Sequence, residues 1–281
     1  MPAFSEDGCG VKHGHRRHPI REMNKRLPIT DAFSQTIFVC IITMSLPFFY
    51  IENLADHVPT LNEDTSKHII GVLRMQKGEH ILLTDGRGTK ATAAILDDHR
   101  KRCIVQTISL EKEEQKTQKV IIAISLLKNV TRFEWFLEKA TEIGVTEIIP
   151  LVCERTESEK FRHDRLNGIL ISAMLQSQQT WLPVLHHPTS VETVIKQAAQ
   201  QSKFIAHCLP NEKAQLSTVN QHLSTLVLIG PEGDFTADEI EAAIEHDFKP
   251  VTLGGTRLRT ETAGLVAATL LCHLGGDEIR L

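Results

Sequence analysis

Two glycine loops mark the places where this 281-residue sequence could do chemistry. The first, Gly230-Pro231-Glu232-Gly233, ends the apolar run Leu226 to Ile229. The second, Gly254-Gly255, ends Val251-Thr252-Leu253. Short apolar runs stopped by glycine read as buried strands. A glycine at a strand end lets a ligand approach the backbone, because no Cβ stands in the way. Neither loop is a phosphate-binding G-x-x-x-x-G-K-[ST] or a dinucleotide G-x-G-x-x-G. What remains is a backbone-lined pocket without a phosphate lysine, suited to hydrogen-bonding an adenine edge. Ordinary βα turns carry the same glycines, so the loops alone leave both readings open.

The elements that must position these loops are legible around them. Thr236 and Glu239 have capping-box spacing and predict a helix after the first loop. Thr260 is expected to cap a helix from Glu261 to His273 after the second. Further upstream, Val120 to Leu126 is a continuous apolar run, as in a strand covered on both faces. Thr131 and Glu134 read as another capping box, opening a helix with Phe133, Phe136, Leu137 and Ala140 on one face. Gly144 stops it, and Val145 to Leu151 is the next strand, which makes a β-α-β unit and implies a parallel sheet. A helix is expected from His163 to Gln178, and Lys203 to Cys208 is a further strand.

The N-terminal half reads differently. From Phe48 to Ser109 the pattern is short strands with turns, such as Asp85-Gly86, and one short helix from Ser66 to Met75. Several short strands in so few residues suggest a small β-barrel. Residues 1–43 do not read as part of a domain; Met44 is the expected start, and no signal-peptide cleavage pattern follows the brief apolar run there.

Composition sets limits. Charged residues make up 23% and hydrophobic ones 41%, a globular balance. The net charge of −4 means that any nucleic-acid binding has to come from a local basic surface. Six scattered cysteines, without a C-x-x-C, argue for reduced thiols in a cytoplasmic protein and against zinc. No apolar run is long enough to span a bilayer.

Leu228-Ile229-Gly230-Pro231-Glu232-Gly233, followed by Leu253-Gly254 and Arg257-Leu258-Arg259-Thr260-Glu261-Thr262-Ala263, resembles the RsmE family. So do Lys128 to Val145, Cys153-Glu154-Arg155-Thr156 and Gln176-Ser177, where the family's following Gly-Arg is Gln178-Gln179 here. These are rRNA methyltransferases of the SPOUT superfamily. The resemblance implies an α/β fold with a parallel-sheet SPOUT domain ending in a trefoil knot, preceded by a PUA/OB-like barrel. Its bounds would be 44–110 for the barrel, 111–119 for a linker and 120–281 for the methyltransferase domain.

The implied activity is S-adenosylmethionine-dependent methylation of N3 of a uridine in 16S rRNA of the small ribosomal subunit, by a homodimer without a metal. Leu228, Ile229, Gly230, Gly233, Leu253, Gly254, Leu258, Thr262 and Ala263 are expected to hold the cofactor. Arg259 would stabilise the uridine anion or a phosphate, Glu232 would either accept the N3 proton or cap its loop, and Arg132 would position the RNA. An ion pair with Glu261 is the structural alternative for Arg259. Lys67, Arg74, Lys77 and Arg87, with Lys90, would form one RNA-facing patch, an ordinarily charged surface being the alternative, and Arg155 and Arg165, with Lys160, Arg162 and His163, a phosphate-binding edge. Two other readings are a SPOUT enzyme acting on another RNA such as tRNA, and a non-catalytic RNA-binding knot protein. The small residues Ala263, Gly264, Ala267 and Ala268 of the last helix suggest close packing at a subunit interface, with burial inside one chain as the alternative.

Overall fold

The computed structural model describes residues 46–273, apart from 55, 159, 211 and 220–222. The expected leader, residues 1–43, lies outside them. In the N-terminal sheet, β1 (Phe48–Tyr50), β2 (His80–Thr84), β3 (Thr89–Asp97) and β4 (Ile104–Lys112) follow in spatial order. Alternate residues of β3, Ala91, Ala93 and Ile95, are buried in a cluster with Phe49, Leu61 and Ile69. The short helix α1 (Glu63–Ser66) starts earlier than the sequence suggests, because the Asn62 side chain accepts from the Thr65 N–H, and it runs on as a π-helical stretch, Lys67–Val72. β4 extends to Lys112, so the charged stretch expected to link the domains begins inside an edge strand whose outer residues face water.

The second sheet is built from β5 (Lys119–Ser125), β6 (Glu147–Val152), β7 (Val184–Leu185), β8 (Thr189–Ser190), β9 (Ser202–Ala206), β10 (Ala214–Gln215), β11 (Ser224–Ile229) and β12 (Lys249–Thr252). Its order is β10-β12-β9-β11-β5-β6-β7, with β8 also on β6, and every pairing is parallel. Period-two alternation fixes its two faces. Val120, Ile122 and Ile124 of β5, with Val227 and Ile229 of β11, enter one cluster; Ile121, Ala123, Leu226 and Leu228 enter the other. Each such aliphatic side chain contributes about 1.5–3 kcal/mol by burial. The first face carries α2 (Val130–Ile143), α3 (His163–Gln176) and α6 (Thr260–His273); the second carries α4 (Val191–Gln197) and α5 (Ala237–Glu245).

Local signals succeed or fail for identifiable reasons. The Thr236–Glu239 capping box forms in both directions, and Gly144 ends α2 at φ 96°. The expected Thr131–Glu134 box does not form. Asn129 caps α2 by accepting from the Thr131 N–H, and Glu134 pairs with Arg165 instead. Thr260 is the first residue of α6 rather than its cap, and its hydroxyl donates to the Gly230 carbonyl at 3.1 Å. Three of the four small residues of α6 serve its own chain: Gly264, Ala267 and Ala268 are buried, and Ala263 is part-exposed. A Cβ at Gly264 would lie 2.7 Å from both Ile124 and Phe136, so this glycine lets α6 press onto β5 and α2.

Candidate functional site

β9, β11 and β12 lie side by side, and the glycine loops follow the carboxyl ends of β11 and β12. Crevices outside the carboxyl ends of parallel strands are where open α/β sheets bind ligands. The cleft there has two lobes. One, about 470 Å³, is lined by Arg132, Ile229, Gly230, Glu232, Arg259 and neighbours. The other, about 380 Å³, is lined by Leu253, Gly254, Gly255, His207 and neighbours. Ala206, Cys208, Asp234, Arg257, Leu258 and Ala263 line both.

The glycines serve different needs. At Gly230 a Cβ would come within 3.0 Å of the Phe235 ring, so the loop could not close against its own core. Gly233 would meet Arg155 at 3.3 Å. Gly254 has φ +146° and nothing within 4 Å of its would-be Cβ, so it leaves open space beside the second lobe. The N–H groups of Gly255, Thr256, Arg257 and Leu258 have no backbone acceptor among the described residues.

Short polar contacts hold this arrangement. Asp234, in the left-handed region at φ 65°, accepts from the Cys208 N–H at 2.7 Å and from its neighbour Phe235 at 2.8 Å. The Arg155 Nη1 donates to the Gly233 carbonyl at 2.7 Å, and Thr260 ties α6 to Gly230. Arg132 sits between two carboxylates, with Nη1 3.2 Å from Glu232 Oε1 and Nε 3.7 Å from Glu261 Oε1. Glu261 is 5% exposed, and its Oε2 has no partner among the described residues. Arg259 is exposed and makes no ion pair among the described residues, so the alternative pairing with Glu261 is not the one adopted.

Of the residues expected at a cofactor site, Ile229, Gly230, Leu253, Gly254, Leu258 and Ala263 line the cleft, together with Arg132, Glu232 and Arg259. Leu228 does not, since alternation along β11 turns it into the opposite core at 0% exposure. Gly233 faces Arg155, and Thr262 is outside the lining. Sequence reading missed Ala206, His207, Cys208, Asp234 and Arg257. The strand ending near Cys208 was visible, and the carboxyl-end rule was the signal that could have found the first three. Burial lowers the His207 pKa below its ordinary value, with Lys213 adding to the effect; both ring nitrogens lack a partner among the described residues. Burial pushes the Cys153 thiol up to about 12.

The basic residues do not assemble as expected. Arg155 is committed to the first glycine loop, and Arg165 makes a two-pronged pair with Glu134 at 2.6 and 3.1 Å, holding that carboxyl below the usual range. Lys67 pairs with Glu63 at 2.8 Å. Arg74, at φ 58°, and Lys77 are exposed before β2, whereas Arg87 lies beyond its other end and bridges to Trp181. Five residues of strand span roughly 16 Å, so these cations do not form one tight patch. Ser177, Gln178 and Gln179 line a different cavity, with Gly144, Val145 and Thr146 just before β6. Gln178 takes φ 56°, and Gln179 Nε2 donates to the carbonyls of Thr141 and Glu142.

Fold and cleft define a class: a parallel α/β domain with a backbone-rich ligand site at its strand ends, preceded by a β-rich lobe. Comparison with known proteins narrows it. Residues 113–272 match the family model described as an RNA methyltransferase domain, and residues 61–108 match an RNA methyltransferase PUA domain. The chain belongs to this RNA methyltransferase family. A crystal structure of a probable rRNA-methyltransferase from Porphyromonas gingivalis is 39% identical, with TM-score 0.77, covering 82% of this chain and 98% of that one. The ribosomal RNA small subunit methyltransferase E of Neisseria gonorrhoeae, bound to S-adenosyl methionine, is 28% identical with TM-score 0.72, covering 79% and 95%. The protein of that name from Synechocystis is 29% identical over 249 residues, 86% of this chain and 80% of its own length. Among the described residues, no helix is long and apolar enough to cross a membrane, and no group of His, Cys, Asp and Glu could hold a metal ion.

Proposed function

We propose that this protein uses S-adenosylmethionine to methylate N3 of a uridine in the 16S rRNA of the small ribosomal subunit. The observation that carries the reading is the cleft formed by the two glycine loops at the strand ends. Its chemistry fits the cofactor. Open space at Gly254 leaves the backbone approachable, the loop N–H groups from Gly255 to Leu258 can serve an adenine edge, and Ile229, Leu253 and Leu258 offer apolar contact. When bound, the cofactor supplies an electrophilic methyl group on its sulfonium.

The chain's own residues deal with the nucleophile. Uridine N3 must lose its imide proton, and Glu232, which lines the cleft, would accept it. Arg132, held by Glu232 and Glu261, and Arg259, which has no ion-pair partner among the described residues, supply positive charge for the resulting anion. The proposal includes a trefoil knot around the two loops, a closed N-terminal barrel and a cytoplasmic homodimer. Leu265 and Val266, part-exposed on α6, are the apolar residues offered to a partner, rather than Gly264, Ala267 and Ala268, which are internal.

The test is methyl transfer from labelled cofactor to small subunits that lack the modification, followed by mass mapping. One N3-methylated uridine in 16S rRNA, lost with Arg259→Ala while cofactor affinity persists, is expected. Label appearing only in tRNA, or in no RNA, would refute the assignment.

A further inference from the structure

A further cavity, about 510 Å³, adjoins the start of α2. Val130 and Thr131 line this cavity, whereas the next residue, Arg132, lines the cleft. Its floor is apolar: Leu126, Leu127, Phe133 and Leu166 are each 4% exposed or less. Its rim is basic. Lys160 and Arg162 are exposed and form no ion pair among the described residues. The one carboxylate in the lining, Glu134, is already neutralised by Arg165. Outside the lining, Asp164 follows Arg162 in the first turn of α3, fully exposed and 4.0 Å from His163.

One partly buried aromatic ring, Phe161, stands in the lining, backed by two histidines that do not reach the lining. Phe161 lines the cavity and stands edge-on to His163, at 6.0 Å between centroids, and to His187, at 6.3 Å. Those two histidines stack on each other at 4.8 Å. The volume falls within the roughly 300–1,000 Å³ of ligand sites. Arg162 is still close enough to Glu134 to help hold that carboxyl low, yet it and Lys160 both stay exposed. An apolar floor, an aromatic ring and exposed cations at the mouth are what an unstacked nucleotide needs. Single-stranded RNA is bound by base stacking on Phe or His, with cations tracking its phosphates.

We propose that this cavity receives one unstacked nucleotide of the single-stranded RNA that flanks the reacting uridine. Its base lies against Phe161, and its phosphate meets Lys160 and Arg162. The assignment rests on the RNA methyltransferase reading given above and extends it with a second contact, beside the reaction site. Neutral and acidic peptides are disfavoured, the first by the exposed cations and the second by the apolar floor.

Binding of a labelled single-stranded hexauridylate to the full chain, read by fluorescence anisotropy, is the direct test, with cofactor affinity measured in parallel by calorimetry. Phe161→Ala should weaken hexanucleotide binding about ten-fold or more, as loss of one stacking contact does. Phe161→Tyr should restore it. Lys160→Glu with Arg162→Glu, both on exposed side chains, should weaken binding and flatten its salt dependence by about one to two log units per log unit of salt. Cofactor affinity should stay within about two-fold throughout, the small change expected of sites that do not touch. Wild-type affinity in both the Phe161→Ala and the double charge variant overturns the proposal, as does a wild-type protein that methylates small subunits yet does not bind the hexanucleotide. Hexanucleotide binding that depends on Phe161, in a protein that transfers no methyl group, would sustain this site and sink the proposed activity instead.

Discussion

Replacing Gly264 by alanine separates packing within the chain from packing between subunits. In an exposed helix interior this change stabilises by about 0.8–1.0 kcal/mol, because alanine has less backbone entropy to lose. Here the added methyl would sit 2.7 Å from Ile124 Cδ1 and from a ring carbon of Phe136, both in fully buried residues. Carbon atoms prefer about 3.5–4.0 Å, so the helix or the core must shift by roughly 1 Å. Overpacking of that kind costs about 1–3 kcal/mol, and because the Phe136 ring is rigid and the Ile124 methyl is fully buried, this site falls at the upper limit. The net expectation is a loss of about 2 kcal/mol, or a Tm lower by about 4–8 °C for a domain of this size. Thermal unfolding at several protein concentrations is the assay, with Gly255→Ala as a control, since nothing lies within 4 Å of that position. A raised Tm, or a loss that vanishes at high protein concentration as an interface defect would, refutes the intrachain account.

The remaining expectations are more local. Thr260→Val removes the bond to the buried Gly230 carbonyl and should destabilise by about 1–3 kcal/mol in chemical unfolding, with weaker cofactor binding; unchanged values for both would show the tie to be incidental. Cys208, exposed in the cleft, should be alkylated in the free protein and protected by S-adenosylmethionine, while Cys103 and Cys153, pushed up by burial to about 11 and about 12, stay unmodified by mass spectrometry. Equal labelling of Cys208 with and without the cofactor would count against the site. His207 has a folded pKa below its ordinary 6.5, so its contribution is full above that value and is lost as pH falls through the lower folded value. Thermal stability should therefore drop on acidification from about pH 7.5 to about 5, and drop less in His207→Gln. Gln178→Gly relieves a left-handed non-glycine residue and should change stability by up to about 1 kcal/mol in the favourable direction; a loss would show that its side chain matters more.

Much of the sheet was legible because its strands announce themselves. Val120 to Ile124 and Leu226 to Ile229 are continuous apolar runs, as a sheet covered on both faces requires. The glycine loops followed from the same pattern. The sequence could not reveal that Leu228 faces the far core while Ile229 lines the cleft, because both are apolar and register decides. Nor did it show why Thr131 and Glu134 fail as a box: Asn129 reaches the Thr131 N–H, and Glu134 is taken by an arginine 31 residues away. Short elements such as β7, β8 and β10 carry two residues each, too few for any periodicity to register.

Charge was the least legible property, and the reason is physical. An arginine in a sequence is a potential phosphate contact until its partner is known. Arg155 and Arg165 look alike in the basic stretch after β6, yet one holds the Gly233 carbonyl and the other a half-enclosed glutamate. Lys160 and Arg162, interleaved with them, keep exposed side chains without an ion pair among the described residues. A chain of net charge −4 has no general attraction for RNA, so exposed cations beside the site must do the local steering. On the proposed reading they stand at two places: Arg257 and Arg259 at the cleft, and Lys160 and Arg162 at the neighbouring cavity. Arg132, restrained by Glu232 and Glu261, lines the cleft. On that reading it would meet both the RNA strand entering the cleft and the Glu232 carboxylate beside it. Substituting Arg132 should thus disturb RNA positioning and proton acceptance together, whereas loss of Lys160 or Arg162 should disturb positioning alone.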